Sequence, residues 1–239
     1  MYIIKRKRIS LILIALMLGI FVYSYENQKL DTDEQTQSTT ATPISGKVIV
    51  VDAGHGVPDE GAQSSRGTTE AETNLKISLK LQNLLEQSGC TVILTRSDEN
   101  AIYDLDKTTL REKKISDIRN RVKIGNNASA DLFVSIHLNK IPQQQYWGWQ
   151  CFYNSKNEKS VNLAKKMQAN LNESIQKDNK RVAMKLDTVY IMKHVEIPIS
   201  IVECGFLSNP EEEQQLLDDE YQNKLAWGIF NGIIEYFNE

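Results

Sequence analysis

The sequence has little cysteine, little histidine and no surplus of positive charge once its first eight residues are set aside. Its three cysteines, Cys90, Cys151 and Cys204, are odd in number and irregularly spaced. That excludes a disulfide framework and a zinc ribbon, and leaves them as small core residues. Lys5, Arg6, Lys7 and Arg8 are four of the 28 basic residues; the other 24 face 31 acidic ones, a balance of −7. A chain without a basic face cannot neutralise phosphates, so no nucleic-acid partner is expected. No internal repeat is visible. What is present, 239 residues with 41% apolar and 25% charged, suffices for one ordinary domain and an appendage.

The appendage is N-terminal. The four basic residues precede an uncharged run, Ile9 to Tyr25, dominated by Leu, Ile, Met and Phe. Residues 1–25 therefore read as a signal peptide or membrane anchor. The run is long for a cleavable segment and no Ala-x-Ala site follows, which favours an anchor with its basic end in the cytoplasm. It lacks the polar face of a buried amphipathic helix. Residues 26–46 carry few large apolar side chains and read as a flexible linker. Residues 47–239 form the domain.

Within it, strands and helices alternate. Val48 to Val51 are four β-branched residues, the pattern of a strand buried on both faces. Apolar residues recur at helical spacing from Leu75 to Leu85, ending at Ser88-Gly89. Thr91 to Thr95 is the next strand, and residues 97–110 are a polar loop. Ile115, Ile118, Val122 and Ala128 mark a helix before the strand Leu132 to Ile136. Gln150 to Tyr153 is a strand, Val161 to Ile175 a helix, and Val189 to Met192 and Ile199 to Cys204 the last strands. One final helix carries Leu217, Tyr221, Leu225, Ile229, Ile233 and Phe237 on a stripe. Asn209 caps it, Pro210 opens it, and Glu211, Glu212 and Glu213 complement its dipole. The expected fold is α/β, a single domain whose central, mostly parallel twisted sheet is flanked by helices.

In such sheets ligands bind beyond the carboxyl ends of the strands. His55 sits there, between two glycines after the first strand, and His137 sits there after the strand ending at Ile136. Glu70 or Glu72 opens the following helix, and Glu203 stands in the Ile199 to Cys204 strand, where an unpaired carboxylate is costly to bury. Two imidazoles and a carboxylate are a usual catalytic zinc set, with a second carboxylate free to act as base. Each residue alone has a plainer reading: a histidine capping a turn, or an acid serving a helix dipole. His194, at the opposite end of the layer, reads as a packing or surface histidine. Tyr146, Trp147 and Trp149 share a glutamine-rich loop that suits either a sugar or partner contact, or the core.

Five blocks in order then carry a resemblance: Val51-Asp-Ala-Gly-His-Gly56; Gly67 with Glu70 and Asn74-Leu75; Thr95-Arg96; Asp131 to Asn139; and Glu203-Cys-Gly-Phe-Leu-Ser-Asn209. Over residues 47–237 the chain resembles the zinc-dependent N-acetylmuramoyl-L-alanine amidases, which cut the amide between the muramic acid lactyl group and L-alanine of peptidoglycan. The resemblance implies that His55, Glu70 and His137 hold Zn2+, that Glu203 is catalytic, and that Asn139 contacts substrate; it selects Glu70 over Glu72. Leu138, where the family usually has alanine, is expected to narrow the pocket beside the metal. Cys204 stands for the usual threonine, and Gly125-Asn126 for an Ala-Asn pair.

With no wall-binding repeats and no autoinhibitory helix, the chain looks like the sporulation amidases that strip cortex peptidoglycan on the way to muramic δ-lactam. That implies an exported protein, anchored or secreted, in the space around the developing spore. It also leaves room for an accessory protein that orders the 97–110 loop or completes metal binding. The alternatives are a zinc peptidase acting on the stem peptide and a non-catalytic peptidoglycan-binding protein. Against the latter stands Glu203, since a binding module needs no base.

Overall fold

Val48–Ala53 forms β1, and every residue after Val48 in it is buried. A computed structural model describes residues 42–238 together with Met17. The stretch expected as an export segment, apart from Met17, and most of the expected linker thus lie outside the described residues. The folded unit begins at Thr42, inside the stretch expected as linker. Ile44 is fully buried there, and Gly46 N–H donates to the Gly89 carbonyl at 2.8 Å. Among the described residues no helix is long and apolar enough to cross a membrane.

The elements follow as α1 (Glu70–Gln87), β2 (Thr91–Leu94), α2 (Leu110–Asn127), β3 (Leu132–Asn139), β4 (Gln150–Tyr153), α3 (Glu158–Ile175), β5 (Met184–Lys185), α4 (Tyr190–His194), β6 (Ile199–Phe206), α5 (Pro210–Leu217) and α6 (Asp219–Phe237). Six strands make one sheet in the order β2-β1-β3-β6-β4-β5. All neighbours are parallel except β4 against β6. Strand alternation divides the side chains between two cores. Val51, Val134, Ile136, Val202 and Cys204 meet α1, α3 and α6 on one face. Val50, Phe133, Ile199 and Ile201 meet α2 and α4 on the other. By the same alternation Asp52, Ser135, His137 and Glu203 belong to the second face.

Three expectations need correction. Val189 to Met192 is not a strand: Tyr190–His194 is a short helix, and Met184–Lys185 supplies the strand. A four-residue apolar run does not distinguish the two states. The final helix is two helices, because Asp218 leaves the helical conformation at φ −76°, ψ 129° and its side chain accepts from Tyr221 N–H. Finally, Glu212 and Glu213 do more than complement a dipole. Both are 1% exposed. Glu212 accepts from Gly148 N–H and Phe206 N–H at 2.8 Å each, tying α5 to the end of β6, and Glu213 accepts from the Thr68 hydroxyl at 2.8 Å.

The cysteines are free and buried. Trp149 is fully buried and donates to Asn172 Oδ1 at 2.8 Å, whereas Tyr146 is exposed. His194 is exposed, away from the other two histidines in the chain, and stacks on Tyr190 at 3.9 Å between centroids. Glu212→Ala strands two buried N–H donors, so urea unfolding should show a loss of about 2–3 kcal/mol. The neighbouring exposed Glu211→Ala should stay within about 0.5 kcal/mol of the parent.

Candidate metal centre and the loops that build it

The turn after β1 is held from beneath by two buried arginines. Arg121, on α2, is 2% exposed. It donates to Asp52 Oδ1 at 2.6 Å, to Asp117 Oδ2 at 2.7 Å, and to the carbonyls of Ala53 and His55 at 2.7 and 2.5 Å. Arg96 donates to the carbonyls of Ala53, Gly54, Ala71 and Asp98. Asp52 also accepts from Thr95 and Ser135 hydroxyls. Burial works against the charge of both Asp52 and Arg121, yet each stabilises the other: the carboxyl is held below its usual range and the guanidinium above. The carbonyls of Ala53, Gly54 and His55, which would otherwise be orphaned at the end of β1, are satisfied by these fixed forks.

On this platform His55 adopts φ 63°, the left-handed region. The left-handed residue of the turn is thus the histidine itself, and such strain in a non-glycine residue persists where its surroundings over-determine it. Gly56 also lies at positive φ, 149°, whereas Gly54 and Gly61 serve by leaving space. A Cβ on Gly54 would collide with the His137 imidazole, and one on Gly61 would come within 2.5 Å of Glu70 Oε2 and 2.7 Å of the His55 ring.

Glu70 is the first residue of α1 and 4% exposed. Its Oε1 lies 2.9 Å from His137 Nδ1 and 3.3 Å from His55 Nε2, and accepts from Leu138 N–H at 3.1 Å; its Oε2 accepts from Ala62 N–H at 2.8 Å. Glu72, by contrast, is exposed and pairs with Lys76 at 2.7 Å. The two imidazoles meet edge to face at 5.1 Å. One donor atom from each of His55, Glu70 and His137 lies within 4.8 Å of the others. Ligands at zinc bond lengths in a tetrahedron stand about 3.3–3.6 Å apart. The donor set suits zinc: the His55–Glu70 spacing of 3.3 Å lies in that range, and the Glu70–His137 contact of 2.9 Å is shorter than it.

Glu203 enters from β6, paired in register with His137. Its Oε2 is buried without a hydrogen-bond partner, the orphan expected of a carboxylate awaiting a cation or a reacting proton. Burial pushes its carboxyl up to about 7. At His55 burial opposes the charge, but hydrogen bonds to Asp59 and Glu70 outweigh it and raise the imidazole to about 9. Glu70 is likewise opposed by burial, and hydrogen bonds from His137 and His55 hold it far below the usual carboxylate range.

Asn139 ends β3 past a register shift, half-buried, and its carbonyl accepts from Leu207 N–H at 2.8 Å. Leu138 does not border the pocket. It packs in the core against α1 and is 3% exposed, because strand alternation points it away from His137. The 97–110 loop is already pinned: Ile102 N–H donates to Asp117, Asp104 N–H to Ser116, and Asn120 to the Ile102 carbonyl.

Sequence reasoning missed Arg121 and Asp59 as parts of the site. The first betrays itself as a charge on the apolar stripe of Ile118 and Val122, and the second as a carboxylate four residues after a histidine.

Known proteins resemble this chain in sequence and in overall fold. The sequence profile of the family described as N-acetylmuramoyl-L-alanine amidase matches residues 49–235. The germination-specific N-acetylmuramoyl-L-alanine amidase of Bacillus subtilis (strain 168) is 34% identical over 236 residues, covering 98% of this chain and 96% of that one. Among solved structures, the CwlD amidase of Clostridioides difficile, in complex with the GerS lipoprotein, aligns with TM-score 0.79 and 42% identity, over 81% of this chain and 99% of that one. The catalytic domain of CwlV from Bacillus (Paenibacillus) polymyxa var. colistinus aligns with TM-score 0.69 and 32% identity, over 80% and 98%.

Arg121→Met leaves Asp52 and Asp117 buried without their cation. It should cost about 3–5 kcal/mol in urea unfolding, and Arg121→Lys should not restore the loss, since one ammonium cannot span four acceptors. Were His55 to hold zinc, its proton would have to leave, so chelator competition should show affinity rising with pH up to about 9 and levelling above it. In the metal-free chain the sign is opposite. The raised His55 contributes stability fully below about 6.5, the unfolded value, and that contribution is lost as pH climbs through 9.

Proposed function

The chain belongs to the N-acetylmuramoyl-L-alanine amidase family, and from that premise we propose that His55, Glu70 and His137 hold Zn2+ while Glu203 acts as acid and base. The substrate amide joins the muramic acid lactyl group to L-alanine of the peptidoglycan stem. The observation that carries this is the donor cluster within 4.8 Å beside the buried, unpartnered Glu203 Oε2 on the next strand.

Zinc, when bound, supplies a Lewis acid and lowers the pKa of water from roughly 15.7 to about 7. Glu203 Oε2 takes the proton of the attacking water and returns it to the departing alanine nitrogen. A carboxyl raised to about 7 by burial is matched to both transfers near neutrality. Once a cation sits beside it, the balance moves towards the ionised, basic form. Asn139 offers its side-chain amide to the peptide at the rim. No covalent enzyme intermediate is needed: Cys204 lies in the opposite core, where burial pushes its thiol well above the usual range.

The relative from Bacillus subtilis is named for germination, which supports action on spore cortex peptidoglycan as a step towards muramic δ-lactam. The protein works outside the cytoplasm, held at the membrane by residues 1–25, in the space around the developing spore. The relative solved with a lipoprotein supports a protein partner of that kind here as well. Such a partner has little to add by ordering the 97–110 loop, given its existing hydrogen bonds.

Purified peptidoglycan treated with the zinc-loaded chain should yield free stem peptides that begin at L-alanine, identified by mass. Glu203→Gln should bind zinc as the parent does and lower turnover by at least about a hundredfold. Cleavage inside the stem peptide instead would contradict the amidase reading, and normal turnover in the variant would contradict the role of Glu203.

A further inference from the structure

We propose that Asp59 is a positioning residue of the metal centre, holding the outer nitrogen of the His55 imidazole, and that Lys114 holds Asp59 in turn. The inference rests on the metal reading of His55, Glu70 and His137. The two nitrogens of His55 are engaged on opposite sides. Nε2 faces the donor cluster, 3.3 Å from Glu70 Oε1, and Nδ1 lies 3.4 Å from Asp59 Oδ2. An Nδ1–H donating to a carboxylate leaves the Nε2 lone pair for a metal and fixes the rotation of the ring. The ring needs such a hold. Its backbone is in the left-handed region and its side chain is 20% exposed, with the His137 ring edge to face at 5.1 Å.

Asp59 is built to provide it. Gly56 and Asp59 exchange two backbone hydrogen bonds, 3.0 and 2.8 Å long, closing a four-residue loop that sets the carboxylate beside the ring. Lys114, from the first turns of α2, brings Nζ to 3.0 Å of the same Oδ2. Arg121 fixes the backbone of His55 through its carbonyl, while Asp59 fixes the side chain. Lys114 also borders a cavity of about 310 Å3 with Ile115 and Ile118, beside both histidines. A direct contact with substrate is therefore the competing role for Lys114.

The test uses the full chain with zinc in competition against a chromophoric chelator, and with cobalt as a visible-absorption probe. Asp59→Asn should weaken zinc binding by about 10–100-fold and alter the cobalt spectrum, with far-ultraviolet circular dichroism unchanged. Lys114→Met should weaken zinc by up to about fivefold and have no further effect when added to Asp59→Asn. Parent-like zinc affinity and cobalt spectrum in Asp59→Asn would overturn the role of Asp59. A Lys114→Met effect of equal size in both backgrounds, or a raised KM with unaltered metal affinity, would overturn the role of Lys114. A parent chain that binds neither zinc nor cobalt would instead remove the metal reading, and this inference with it.

Discussion

A single guanidinium, that of Arg121, is the contact on which the site depends. It is buried with two carboxylates and two main-chain carbonyls around it, one of which belongs to His55. Bringing such a charge out of water is costly, and only a full set of acceptors offsets the cost. The set exists because Asp52 ends the buried β1 strand, and because α2 crosses beneath it with Asp117 and Arg121 one turn apart. The left-handed backbone of His55 is held by the same group, since the His55 carbonyl is one of the arginine's acceptors.

From that platform the remaining donors follow from topology. β3 lies parallel to β1, so its end delivers His137 beside the turn, and β6 lies parallel to β3 in a register that sets Glu203 opposite His137. Glu70 reaches both histidines because α1 starts where the loop from 56 to 69 returns, with Glu70 N–H donating to the Ala62 carbonyl and Thr68 held by buried Glu213. The placement leaves one carboxylate held ionised between two imidazoles, and a second pushed up to about 7 because burial is its main influence. Two carboxylates in contrasting environments are what a metal ligand and a proton carrier respectively need.

Much of this was legible in the sequence, and the limits have physical causes. Long strands and helices announce themselves by period, which is why β1, β3, α1 and α3 were expected where they stand. His55, His137 and Glu203 were legible because each lies at or near the end of an apolar run. The short α4 was misread because Val189 to Met192 has no length over which a period can show. Asp218 looks like any surface acid, and nothing local says that it ends one helix and caps the next. Glu212 and Glu213 do sit in a first helical turn, but their burial and their bonds to Gly148, Phe206 and Thr68 leave no local sequence signal. Leu138 was assigned to the pocket by its neighbour His137, although adjacent strand residues point to opposite faces. Arg121 and Asp59 act through residues distant or oddly placed in sequence, and only the folded chain brings out their partners.

The most direct test of the account is anomalous scattering at the zinc edge from crystals of the zinc-loaded chain. One strong peak is expected, bounded by His55, Glu70 and His137, with the Glu203 carboxylate outside bonding distance and free to move a proton. A peak elsewhere, or Glu203 as a ligand in place of Glu70, would contradict it.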